Sequence, residues 1–311
     1  MNNKKSEERK SWLWIPSLYL AEGLPYVVVM TVSVIMYKRL EISNTEIALY
    51  TSWLYLPWVI KPFWSPVVDL LKTKRFWIII MQFFIGAALA GVAFTIPADN
   101  FFQYTLAFFW LMAFSSATHD IAADGFYMLG LEDHEQAFFV GIRATFYRIA
   151  FIAGQGLLVI LAGQIEESTG NIPYAWMITF LILAGLFVLF IIYHLFILPH
   201  HKSDYKRSEV QLKKFFNEFI RTFVSFFKKK DILIILAFIL LYRFAEAQLA
   251  KMTIPFLVDT NEAGGLALTT SQVGIVYGTV GIIALSLGGI IGGIVAAKHG
   301  LKFWIWWMLI E

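Results

Sequence analysis

Tyr19-Leu20-Ala21-Glu22 stands in the first long apolar run of this chain and recurs in the seventh as Tyr242-Arg243-Phe244-Ala245-Glu246. Two further landmarks follow in register. Asn44-Thr45-Glu46-Ile47, opening the second run, is matched by Thr270-Ser271-Gln272-Val273, opening the eighth. Arg75-Phe76-Trp77, opening the third, is matched by Lys302-Phe303-Trp304. The offsets of 224, 226 and 227 residues stay nearly constant, so a duplication with a unit of six spans accounts for all three. Both copies then start on the same side of a membrane, as parallel six-helix halves do.

The composition requires a membrane. The chain is 59% hydrophobic and 15% charged, and apolar runs of about 20 residues recur along its whole length, the span of a bilayer. The expected spans are 12–37, 45–70, 76–97, 101–128, 136–164, 174–198, 231–259 and 270–297, with a ninth beginning near Lys302. The first run is too long for a signal-peptide core. There is no cysteine, so disulfides are excluded. Loop charge predicts the orientation. The N-terminus, Lys72-Thr73-Lys74-Arg75, the 199–230 loop, Lys298 and Lys302 are basic. The opposite loops hold only Lys38 and Arg39. The N-terminus is therefore expected in the cytoplasm.

The expected organisation is a six-helix bundle over 1–198, a cytoplasmic linker over 199–230, and the start of a second bundle over 231–311. In the linker Leu212, Phe215, Phe216, Phe219, Phe223, Phe226 and Phe227 recur at helical spacing, which predicts an amphipathic helix on the inner membrane surface. The final run is too short to cross a bilayer, so the second repeat is expected to stop inside its third helix and the chain to be a fragment; a natural eight-span protein is the alternative. Gly288 to Gly293 form small-xxx-small pairs suited to close helix approach.

Soluble-enzyme motifs and metal-ligand spacings are absent, which leaves the ionisable residues inside spans as candidates. Glu22 lies roughly 15 Å into the bilayer, beside Gly23 and Pro25, which weaken the helix there. Asp120 and Asp124 are four apart on one face of span four. Span five supplies Arg143 and Arg148, and an Asp–Arg cluster that makes and breaks its pairs suits a conformational latch. Span seven carries Arg243, Glu246 and Lys251, too many charges for a lipid-facing helix. Lys61 lies inside span two and either faces the interior or snorkels to the inner surface. His194 reads as interfacial. Tyr26, Tyr55 and Tyr127 are candidates for stacking on a sugar ring. Glu22 and Glu246, at equivalent positions of the two repeats, are expected to face each other across a central cavity.

Ala21-Glu22-Gly23-Leu24-Pro25-Tyr26, Lys61-Pro62-Phe63-Trp64-Ser65-Pro66-Val67-Val68-Asp69 and Ser116-Ala117-Thr118-His119-Asp120-Ile121-Ala122-Ala123-Asp124 resemble the AmpG-like muropeptide permeases of the major facilitator superfamily. The resemblance covers essentially all of the chain, the family's C-terminal helices excepted. It implies an all-α membrane protein of the major facilitator fold, a complete N-terminal six-helix half plus about two and a half helices of the other. It implies proton-driven import of anhydro-muropeptides across the bacterial inner membrane. His119 stands where the family more usually has Gln, and becomes a substrate-binding candidate with Lys61, Arg243 and Lys251. Glu22, Asp120 and Glu246 are the proton-coupling candidates. Asp69 keeps the acid of the superfamily signature after span two and is a gating candidate with Asp124, Arg143 and Arg148; in the second copy Ala297 replaces that acid. The expected partners are a glycopeptide-like solute, protons and the lipid bilayer, with no nucleic acid, cofactor or metal, in a monomeric protein that is not an enzyme. An acyl-CoA or drug transporter of the same branch, and a non-transporting sensor or scaffold, are the alternatives.

Overall fold

The computed structural model describes residues 2–200, 204, 217, 220–221 and 224–299. Every regular element among them is helical. The amphipathic helix expected in the linker and the ninth run after Lys302 fall largely or wholly outside the described residues.

Eight spans follow the expected order. Span one runs from Asn2–Val27 through a widened π turn, Val28–Val32, into Ser33–Arg39. The π turn follows Pro25, whose missing amide removes one intrahelical bond. The helix is nevertheless unbroken at Glu22, contrary to the weakness expected from Gly23 and Pro25. Gly23 serves close approach: a Cβ added there would lie 2.7 Å from the Ala150 Cβ of span five.

Span two is the irregular one. It comprises Asn44–Trp53, Leu56–Ile60, a 3₁₀ turn at Lys61–Phe63, and Ser65–Leu70. Pro57, Pro62 and Pro66 each remove an amide from the ladder and crowd the preceding turn, so no single helix runs through 44–70. Spans three, Lys74–Thr95, and four, Phe101–Gly130, pack along each other. Span five joins Asp133–Phe151, a π segment Ile152–Leu158, and Val159–Thr169. Span six is Ile172–Ile197 and span seven Ile232–Val258. Span eight joins Thr270–Val273, a π segment Gly274–Gly281, and Ile282–His299.

Local signals set the boundaries. The Ser43 hydroxyl accepts the Glu46 amide at 3.2 Å, Thr73 that of Phe76 at 3.1 Å, and Asn171 that of Tyr174 at 2.9 Å. Each is a side-chain cap on an otherwise orphaned donor. Gly170, at φ 65°, ends span five in the left-handed conformation that costs glycine nothing.

Six of these helical runs are long and apolar enough to cross a bilayer. The other two are span two, broken by its prolines, and span four, diluted by polar residues such as His119, Asp120 and Asp124. The core of the first six spans is apolar: Val29, Ile35, Leu89, Met112 and Phe187 are buried together, with a second cluster of Trp14, Ile15, Ile78 and Phe126 toward the N-terminal side. Large apolar side chains such as Phe94, Leu189 and Phe196 stand exposed on the outside, where the solvent is lipid.

Candidate functional site

Inside the bundle, spans one, two, four and five enclose a cavity of about 520 Å³. Span one contributes Tyr19, Glu22 and Tyr26, and span two Tyr55, Trp58 and Lys61. Span four adds Ser116, Asp120 and Asp124, and span five Arg143, Tyr147 and Arg148. Three acids and three bases thus share one chamber. The proline-broken path of span two is what turns Lys61 inward. Lys61 does not snorkel to the surface: it forms an ion pair with Asp120. The arginines of span five were the expected partners of Asp120; only Asp124 has one.

Arg143 Nη2 lies 3.1 Å from Asp124 Oδ1. The Tyr19 hydroxyl donates to the same oxygen at 3.2 Å. The guanidinium carbon of Arg143 sits 4.8 Å from the Tyr19 ring centre and 5.1 Å from that of Tyr127, within reach of cation–π attraction. Tyr127 therefore supports Arg143 and is itself buried, its hydroxyl donating to the Gln136 carbonyl. Arg148 is exposed to the cavity and pairs with no acid among the described residues.

Glu22 is different again. It is 7% exposed, and its Oε2 has no hydrogen-bond partner. No described basic side chain lies within ion-pair distance of it. Asp120 and Asp124 line the same cavity. Around it the aromatic rings form a wall. Tyr26 stands edge-on to Trp58 at 5.1 Å and tilts against Phe151 at 5.8 Å, and Phe151 packs on Tyr147 at 5.3 Å.

Several expected residues lie elsewhere. Glu246 is exposed on span seven and is not among the residues that line this cavity. Lys251 is half-buried and donates to the Thr51 hydroxyl at 3.4 Å. The Arg243 side chain lies outside the described residues. His119 faces away from Asp120, because neighbours in a helix point about 100° apart. It is wholly buried, accepting at Nε2 from the Gln82 amide at 3.0 Å. Gln82 also bonds His194, and the Ser17 hydroxyl lies 3.0 Å from His194 Nε2. His119 is thus part of a core tie among spans one, three, four and six, not of the cavity. His194 is buried in the same tie and not interfacial.

Asp69 pairs with Lys74, which is 1% exposed although its place in a basic loop suggested a solvated charge. The Lys74 stem fills the space beside Gly125, and Asp204 accepts the Lys74 amide at 2.9 Å. Sequence reasoning missed Gln82 and Tyr147. Gln82, a lone amide in an apolar run, was a legible signal; Tyr147 carried none.

Long apolar helices around a chamber that holds two ion pairs, an unpaired acid and an unpaired arginine fit a multi-pass membrane protein of the transporter class. The sequence pattern of the Major Facilitator Superfamily matches residues 17–310. The chain belongs to the Major Facilitator Superfamily. It is 25% identical over 300 residues to AmpG 4 of Rickettsia conorii, covering 91% of this chain and 67% of that relative. It is 26% identical over 275 residues to AmpG 3 of Rickettsia prowazekii, covering 83% and 61%. It is 25% identical over 249 residues to the anhydromuropeptide permease of Escherichia coli K12, covering 78% and 47%. The chain therefore spans between about half and two thirds of the length of these relatives.

Proposed function

We propose that the protein imports muropeptides across the bacterial inner membrane together with protons, and that Glu22 carries the proton. The observation behind this reading is the inequality among the three cavity acids. Asp120 has Lys61 and Asp124 has Arg143, whereas Glu22 has an orphaned oxygen and acidic neighbours. An unpaired carboxylate at that depth costs at least a few kcal/mol, and a proton removes the cost. With Glu22 neutral, the remaining side chains leave the cavity net positive, and an anionic or zwitterionic solute is drawn in. Proton and solute then enter together. The solute's carboxylates compete with Asp120 and Asp124 for Lys61, Arg143 and Arg148, while its sugars stack on the wall of Tyr26, Trp58 and Tyr147. The name of the Escherichia coli relative agrees with such a solute. The same charge balance disfavours a cationic drug.

In this reading the N-terminus and the 199–230 segment are cytoplasmic, the two bundles 1–198 and 231–311 rock about the cavity, and the protein works as a monomer. The test is uptake of labelled anhydro-muropeptide by membrane vesicles carrying the protein expressed from its own gene, with and without a proton gradient. Glu22→Gln is expected to exchange solute across the membrane but to lose gradient-driven accumulation. Normal accumulation by Glu22→Gln, with unchanged pH dependence, sinks the assignment, and Asp120 then becomes the candidate.

A further inference from the structure

Where span two turns into span three, the outside of the bundle carries a groove of about 740 Å³, larger than the central chamber and sharing no residue with it. Its floor is apolar. Phe76, Ile79, Ile80 and Phe83 line it from span three, and Ile191 and Leu195 from span six. The four residues of span three fall at i, i+3, i+4 and i+7, one face of a helix. From Phe76 to Phe83 that face runs about 10 Å along the membrane normal, at about 1.5 Å per residue. Phe76, Phe83 and Leu195 are 44%, 55% and 44% exposed, so the groove opens outward, where the solvent is lipid.

The rim, on the N-terminal side of the membrane, is charged: Asp69, Lys72, Arg75 and Asp204 line it. Both acids are already engaged. Asp69 pairs with Lys74. Asp204 accepts the Lys74 amide at 2.9 Å and the Arg75 amide at 3.4 Å, so the positive end of span three is taken by a carboxylate of this chain. Lys72 and Arg75 pair with no acid among the described residues. Lys72 is exposed and sits at φ 64°, a left-handed backbone uncommon for a residue with a side chain. Its ammonium stands 6.0 Å from the centre of the Phe76 ring, at the head of the floor. Arg75 donates from Nε to the Leu198 carbonyl at 3.1 Å and from Nη2 to the Leu195 carbonyl. These bonds cap the end of span six and leave guanidinium N–H groups to spare. Counting Lys74, three bases stand against two acids, a surplus of one positive charge.

We propose that this groove binds one anionic phospholipid of the leaflet on the N-terminal side. Lys72 and Arg75 take the phosphodiester, and the first part of an acyl chain lies along Phe76, Ile79, Ile80 and Phe83. The surplus charge equals the single negative charge of a phosphodiester that bears an uncharged polyol. A choline head brings its own cation beside Lys72 and cancels the match. A detached headgroup or a free phosphate makes no use of the floor, whose apolar area is the larger gain on binding. A lipid held here touches the end of span two, the start of span three and the end of span six, and braces the turn between the first two against the third. The groove lies outside the bundle, apart from the transport cavity.

The probes are phosphatidylglycerol and phosphatidylcholine with the same acyl chains, added to the protein expressed from its own gene and held in detergent. Bound lipid is counted by native mass spectrometry. The parent protein is expected to retain phosphatidylglycerol at lower added lipid than phosphatidylcholine. Lys72→Gln should weaken that retention about fivefold, the worth of one lysine beside anionic lipid, and Lys72→Glu should weaken it further. Ile79→Trp fills the floor and should weaken it with both bases in place. An unfolding midpoint without lipid that matches the parent's shows that each variant is folded. Lys230→Glu, at an exposed lysine before span seven on the same side, should keep the parent's preference. Equal retention of the two lipids by the parent overturns the proposal, as does equal loss in Lys72→Glu and Lys230→Glu, or parent retention by Ile79→Trp. So does displacement of the lipid by glycerophosphoglycerol, the headgroup without chains, at equal concentration.

Discussion

Neighbouring residues of span four have opposite fates. Asp120 faces the cavity and Lys61; His119, one position earlier, faces the core and Gln82. Substituting His119 is therefore a packing experiment. His119→Leu leaves the Gln82 amide with one partner fewer in a wholly buried place. That costs about 1–3 kcal/mol, read as a lowered thermal-unfolding midpoint in detergent, while solute affinity stays at the parent value. His119→Gln, which keeps a hydrogen-bonding group, should recover much of the stability. A His119→Leu variant with parent stability and lost solute binding returns this residue to the ligand contacts. Asp124 is held by both Arg143 and Tyr19, and neither its depth nor its spacing in the sequence announces the tyrosine.

Among the helices, irregularity is concentrated in three of the four spans that line the cavity and in span eight. Span two is broken by three prolines and delivers Lys61 to the cavity. Spans one, five and eight each carry a π segment, a widening that often marks functional sites. Spans three and six are regular and serve the packing of the bundle. Glycine marks contacts unevenly. Among the described residues Gly288, Gly289 and Gly292, expected to mediate close helix approach, meet nothing within 4 Å, whereas Gly23 packs span one against Ala150 and Tyr147 of span five. Gly23→Val overfills that contact, next to Glu22 in the chain. Overpacking of this kind costs about 1–3 kcal/mol. The expected result is a lower unfolding midpoint together with impaired uptake; an unchanged midpoint counts against the contact as described.

Across the whole molecule, the contacts that tie spans one to six to spans seven and eight, such as Lys38 with Asp259 and Glu166 with Thr270, gather on the side away from the N-terminus, while the charged cavity lies toward the middle. In the proposed orientation the basic N-terminal side is cytoplasmic. Leu71, exposed in the turn between spans two and three, and Ser168, exposed at the end of span five, lie at opposite ends of the bundle. Cysteine at 168 is expected to label from outside intact cells and cysteine at 71 only after the membrane is opened. Labelling of both from outside reverses or refutes the topology.

By itself the sequence determined what depends on solvent and on local chain chemistry. Apolar runs of bilayer length set the spans, because lipid admits only helices with satisfied backbones. Ser43, Thr73, Asn171 and Gly170 set their ends, and the recurrence of Ala-Glu and its neighbours indicated parallel halves. Glu22, Asp120, Asp124 and Arg143 were legible because a charge inside a span is costly and is kept only where it pairs or acts. Only the tertiary structure decided which charges meet. Lys61 finds Asp120 because prolines bend span two. Glu246 is not among the residues that line the cavity. His119 turns into the core, and Lys38 and Arg39, which the sequence presents as loop charges, join distant spans. A pairing depends on helix rotation and on the approach of segments more than 100 residues apart, as with Arg39 and Glu166. Those are set by the summed packing of many side chains, and no local stretch of sequence contains that sum.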